Sequence, residues 1–238
     1  MEFLGDLASW FADGDHWWGD AGLLNRLRQH VVTSAVAVAI ACAIALPVGV
    51  LLGHRGRGGT VAVNLSNVGR ALPSFAVLAI AFQIFGLGST PTYVALVILA
   101  IPPILTNAYV GVAGVDREAR DAAVGMGLSG AQVLRRVELP LSVPLVMAGV
   151  RTSAVTVVAT ATIAAVISEN NLGRYIIDGY AVRDEVQIVA GAIVVALLSV
   201  LTERGLAVLQ RAVTPRGLAL AAREEDRPAG SLAEAAAS

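Results

Sequence analysis

From Ala71 to Val115 the chain carries no Asp, Glu, Lys or Arg, and an uncharged stretch of that length has few folded outcomes. Crossing ~30 Å of hydrocarbon takes ~20 apolar residues at the rise of an α-helix. The stretch is therefore too long for one crossing and suits two, and Gly86-Leu87-Gly88-Ser89-Thr90-Pro91 supplies the break between them. Val31–Gly53 is also uncharged, Leu141–Ser168 is interrupted by Arg151 alone, and Val186–Val213 is charged only in its final turns. In lipid every backbone N–H and C=O must find a partner within the protein, which leaves helices or closed barrels; blocks this long and continuous predict helices. Of the 238 residues 15% are charged, well under the roughly 25% of a soluble domain. The expectation is an all-α, polytopic membrane protein of about five spans, near 31–53, 71–86, 91–113, 141–168 and 186–213.

The rest of the chain divides around these blocks. Residues 1–30 are acidic and aromatic, with neither the basic start nor the small-residue cleavage site of a secretory signal. With Trp10, Phe11, Trp17 and Trp18 they read as an extracytoplasmic or interfacial segment. The apolar, membrane-spanning region occupies 31–213, and the Ala-rich, charged residues 214–238 are expected to form a disordered cytoplasmic tail. Orientation follows Arg in short loops. Arg55 and Arg57, then Arg117, Arg120, Arg135 and Arg136, then Arg204, Arg211 and Arg216 mark three segments as cytoplasmic, which puts the N-terminus outside and the C-terminus inside. Arg26 and Arg28 oppose that assignment and are outvoted. Cys42, the one cysteine, excludes an internal disulfide and reads as a small apolar side chain within a span.

Between the third and fourth blocks lies Asp116–Pro140, whose mixed charge with Ala and Val at helical spacing predicts short helices outside the hydrocarbon. It contains Asp121-Ala122-Ala123-Val124-Gly125-Met126-Gly127, nine further residues, and then Val137-Glu138-Leu139-Pro140. Ala122 and Ala123 give a thin helical face that suits close docking. Gly127 permits a sharp turn, and Pro140 starts the next helix at a fixed angle. The pattern resembles the "EAA" loop of ABC-importer permeases (Glu-Ala-Ala, three residues, Gly, nine residues, Ile-x-Leu-Pro), with Asp121 for Glu and Val137 for Ile. That resemblance implies a MetI-like, type I ABC-importer permease in the bacterial plasma membrane. Its ATPase-coupling residues would be Asp121, Ala122, Ala123, Gly127, Val137, Leu139 and Pro140.

A narrower resemblance runs from about Leu24 to Leu198. Leu46-Pro47-x-Gly49-x-Leu51-Leu52-Gly53, Arg70-Ala71-Leu72-Pro73-Ser74, Pro103-Ile104-Leu105-x-Asn107-x-Tyr109-x-Gly111 and Val133-Leu134-x-x-Val137-Glu138-Leu139-Pro140 are similar to osmoprotectant permeases, which import glycine betaine, carnitine, choline or proline. Thr106 stands where that family often has Arg, and Ser168-Glu169-Asn170-Asn171-Leu172-Gly173 departs from its Gly-rich turn. An amino acid or another small solute therefore stays open as cargo. The resemblance implies ABC ATPase subunits, a second permease, an extracytoplasmic substrate-binding protein and membrane lipid as partners, with no nucleic acid. It also implies no cofactor on this chain, with ATP and Mg used by the ATPase. Apolar blocks alone would also suit an ATP-independent scaffold or channel.

Within the spans, Arg70 and Arg151 must face protein, water or headgroups, serving either as anchors or at a pathway or gate. Pro73, Pro102 and Pro103 either kink helices or free carbonyls toward a pathway, and Asn107 either lines a pathway or bonds between helices. Gly49-x-x-x-Gly53 suits close helix packing. Catalytic chemistry is not indicated. Gly125-Met126-Gly127 has no Lys and no preceding strand, so it is no phosphate loop; His16, His30 and His54 share no ligand spacing; and no nucleophile stands beside a base.

Overall fold

The computed structural model describes residues 2–167, 170–215 and 217; the expected tail beyond Pro215 lies, apart from Gly217, outside the described residues, as do Ser168 and Glu169. Among those described there is no strand. The helices are α1 (Glu2–Ala12), α2 (Leu23–His54), α3 (Gly59–Ala71), α4 (Ser74–Phe85), α5 (Thr90–Ala113), α6 (Arg117–Gly125), α7 (Gly130–Val133), α8 (Leu139–Ala161), α9 (Gly173–Val182) and α10 (Glu185–Val213). A π-helical turn, Leu134–Glu138, joins α7 to α8, and a 3-10 turn, Ile163–Ile167, follows α8.

Among the described residues four rods are long and apolar enough to cross a membrane: Leu23–His54, Thr90–Ala113, Gly130–Ile167 and Glu185–Val213. α5 is their centre, buried between α2 and α8. The fit to α2 is made by small residues at four-residue spacing, Ala37, Ala41, Ala45, Gly49 and Gly53, which let two backbones approach. A Cβ on Gly49 would lie 2.6 Å from the Leu105 carbonyl oxygen, and one on Gly53 2.8 Å from that of Tyr109. The expected close packing of this pair is therefore explained at atomic scale. On the other flank α8 runs antiparallel to α5, with Gly149 against Pro103 and Asn107. α10 packs outside α8 and keeps most of its apolar surface exposed, including Leu197, Val200, Leu201 and Val208, as suits a lipid-facing helix.

Two segments differ from the sequence expectation. The first span begins at Leu23, because α2 carries Arg26 and His30 inward. The Arg26 guanidinium lies 4.2 Å from the Tyr175 ring centre and 3.5 Å from Asp178, and His30 bonds the Val158 carbonyl at 2.9 Å. The region expected as one span over 71–86 holds α4 alone, and its 12 residues reach about 18 Å, short of the hydrocarbon. Pro73 restricts Leu72 to extended backbone, at φ −72° and ψ 119°. α3 and α4 meet there at 89°, and because they carry the chain from the end of α2 to the opposite end of the bundle, where α5 begins, together they form one broken span.

The helix directions gather the loops at two ends. One end holds 55–58, the Asp116–Glu138 segment and the end of α10; the other holds residues 2–22, 86–89 and 170–184. At the second end α1 folds back so that Trp10 meets Tyr175 edge-on and stacks on His16. The Tyr175 hydroxyl donates to the carbonyl of Ala21 at 3.0 Å. Burial pushes the Tyr175 phenol above its ordinary pKa, with Arg26 opposing that shift.

Candidate functional site

Two features stand out, one at the Arg-rich end and one within the bundle. At the Arg-rich end Asp116 caps α6, its carboxylate accepting from the Glu118 and Ala119 amides, an arrangement that satisfies otherwise orphaned helix donors. α6 ends before Gly127, whose φ of +84° lies in the left-handed region that suits glycine. Ser129 and Gln132 then form a capping box that starts α7, as such reciprocal bonds do. The short helices expected in Asp116–Pro140 are thus α6 and α7.

The motif residues divide by face. Ala123 is 1% exposed and seats α6 on the bundle, whereas Asp121, Ala122 and Gly127 face outward. Asp121 pairs with Arg117 at 3.6 Å in full view of solvent. Val124 and Met126 are 60% and 74% exposed; they add an apolar patch beside Ala122 that the motif reading passed over. Val137, Leu139 and Pro140 are half-buried at the entry of α8.

Glu138, the unspecified position between Val137 and Leu139, was also missed. Its side chain is 2% exposed. The His54 Nδ1 donates to its Oε2 at 2.6 Å, and the Arg120 guanidinium lies 3.0 Å from its Oε1. The available signal was an acid at the mouth of an apolar span, where an unpaired charge is costly.

The second feature is a cleft of about 620 Å³ lined by Ser66, Gly69, Leu72, Ser74, Leu99, Pro102, Pro103, Thr106, Asn107, Thr152, Thr156 and Thr160. It opens beside the α3–α4 break, and Ser66, Ser74, Thr106, Asn107, Thr152, Thr156 and Thr160 make much of its lining polar. Pro102 and Pro103 cannot donate to the carbonyls of Ile98 and Leu99, and Leu99 is in the lining. Asn107 Nδ2 donates to the Pro103 carbonyl at 2.8 Å, so its amide is oriented within α5 rather than between helices. The threonines at 152, 156 and 160 form a stripe of four-residue spacing on α8; a recurrent hydroxyl in a Val- and Ala-rich span was the readable sign of it.

The structure thus brings Pro103 and Asn107 to the cleft and sets Pro73 beside its lining residues Leu72 and Ser74. Arg151 is elsewhere, bound to Glu203 at 2.6 Å and Gln210 at 2.7 Å on α10. Gln210 also donates to the Pro144 carbonyl, which ties the two helices. The side chain of Arg70 lies outside the described residues. Among the described residues no group of three or more His, Cys, Asp or Glu could hold a metal.

Residues 45–215 match the family described as "Binding-protein-dependent transport system inner membrane component". Among curated proteins, the "Glycine betaine/carnitine/choline transport system permease protein OpuCB" of Bacillus subtilis is 36% identical over 82% of this chain and 90% of its own. The "Carnitine transport permease protein OpuCB" of Listeria monocytogenes is 34% identical over 89% and 95%. The "Osmoprotectant import permease protein OsmY" of Salmonella typhimurium is 33% identical over 81% and 83%. Among solved structures, a chain of the MetNI methionine ABC transporter superimposes with a TM-score of 0.70 at 21% identity, over 81% of this chain and 96% of that one. At that identity the likeness speaks for the fold alone.

Proposed function

The chain belongs to the family of binding-protein-dependent transport system inner membrane components, and from that membership we propose that it is the permease subunit of an ATP-driven importer for osmoprotectants. The observation that carries the reading is the EAA-like pattern, whose Asp121, Ala122 and Gly127 stand exposed on α6 and the turn after it at the Arg-rich end. Within the cargo class, glycine betaine, choline and carnitine are supported by the names of relatives above 30% identity across most of both chains, and proline by the motif resemblance alone.

In this reading the Arg-rich end faces the cytoplasm. The outward side of α6, with Asp121, Ala122, Val124 and Met126, docks on a separate ATPase that uses ATP and Mg. The cleft is one half of the translocation pathway and is open on one side, so a second permease, identical or homologous, closes it. The acidic end carrying α1 and α9 receives a substrate-binding protein. Closure of the ATPases moves α6, and the helices around the cleft re-pack to alternate access. The threonine hydroxyls, the Asn107 amide and the Leu99 carbonyl give a zwitterion weak, replaceable contacts, while affinity resides in the binding protein.

The test is uptake by the complex reconstituted in liposomes with ATP inside, comparing glycine betaine, choline, carnitine and proline with methionine and histidine. Uptake of at least one of the first four, dependent on ATP and on the binding protein, is expected. Uptake confined to the amino-acid controls, or uptake of any solute without ATP, would reject the proposal.

A further inference from the structure

Resting on that reading, we propose that Glu138 is a positioning residue: the strut that carries movement of α6 into α2 and α5. A carboxylate with 2% of its side chain exposed is no surface decoration, since burial penalises charge unless partners compensate. The partners here come from different elements. Oε2 accepts from His54, the last residue of α2. Oε1 faces the Arg120 guanidinium of α6, and Arg120 also donates to the Val112 carbonyl in the last turn of α5. One side chain therefore joins α6, α2 and the head of α8, and through Arg120 the end of α5.

Three further observations favour transmission over simple bracing. Ala123 is the one residue of α6 that is buried, so α6 has little apolar seating and its polar tie matters more. Glu138 closes the π-helical turn Leu134–Glu138. An i→i+5 turn brings residues five apart onto one face, which sets Glu138 on the same inward side as Val133, both buried. Such turns are local departures from the α-helical ladder and recur at functional sites. Finally, the two oxygens are committed to different helices, so a displacement of Arg120 is felt at His54 through a single rigid carboxylate.

The experiment uses the full complex in liposomes and reads two rates, solute uptake and ATP hydrolysis stimulated by loaded binding protein, in wild type, E138Q, R120Q and the double variant. The expected result is uptake per ATP about tenfold lower in E138Q and R120Q, with uptake falling further than hydrolysis, and a double variant no worse than either single one. A wild-type ratio in E138Q overturns the strut. If E138Q fails to assemble, R120Q decides, because it leaves Glu138 paired with His54; a wild-type ratio there overturns the strut equally. Loss of assembly in both variants also overturns it, by marking a role confined to holding the subunit together. Absence of ATP-driven uptake in the wild-type complex would instead sink the importer reading itself, a different failure seen in a different sample.

Discussion

Gly127 and Ala123 show what the motif residues do individually. Ala123 is small because it is pressed against the bundle at 1% exposure, whereas Gly127 has no atom within 4 Å of where a Cβ would stand. The requirement at 127 is therefore its φ of +84° and not space. A β-branched residue in that region costs ~1–2 kcal/mol, which the long apolar helices absorb without losing the bilayer. Expressed as loss of the docked α6–α7 geometry, the same cost is a factor of about 5–30. G127V is accordingly expected to insert and accumulate like wild type while uptake falls by about that factor; wild-type uptake in membranes holding equal amounts of protein would refute the assignment of this turn. Asp121 fits the same picture from the other side, since its exposed pairing with Arg117 contributes little to stability and leaves the acid available to a partner surface.

Among the elements, α2 and α5 were readable because length, apolarity and Gly49-x-x-x-Gly53 all point one way. The α3–α4 region was not, because two cues conflicted there: an uncharged run argued for a span, while Pro73 forced Leu72 out of the helix. α3 escaped notice altogether, since Asn64, Ser66, Asn67 and Gly69 dilute its apolar pattern, and its place is set by Gly69 fitting Pro102 of α5. The cleft was half readable for the same reason: prolines and Asn107 mark α5 in the sequence, but which face of α8 meets them depends on packing. The close approach of α2 to α5 can be tested directly. G49L drives a side chain into the Leu105 carbonyl and the Ala108 methyl, an overpacking worth ~1–3 kcal/mol, so detergent-solubilised protein should melt several degrees lower. Gly205 of α10 has nothing within 4 Å, and G205A should hold or raise the melting temperature, since helical Gly costs ~1 kcal/mol relative to Ala. Equal effects at the two sites would show that α2 and α5 are not packed as described.

At the scale of the whole molecule the open question for orientation was Arg26, a basic residue on the side that Arg counting assigns to the outside. For Arg26 the fold answers it electrostatically: it is 8% exposed, sits over the Tyr175 ring and faces Asp178, so it offers little free charge to the rule that governs insertion, whereas Arg28 is exposed and stays outvoted. The opposite end keeps Arg117, Arg135 and Arg136 exposed, where they act on topology at full strength. The helix directions then require residues 2–22 and 170–184 to share one side and 114–138 the other, whichever way the bundle is inserted. This makes orientation a two-site measurement. On a background with Cys42 replaced by alanine, D15C and E118C place single thiols at exposed positions of the two ends. A membrane-impermeant maleimide applied to intact cells is expected to label D15C and to reach E118C only after the membrane is opened. The reverse pattern would put α6 out of reach of any cytoplasmic ATPase and remove the physical basis for coupling, although the helical fold and its cleft would stand unchanged.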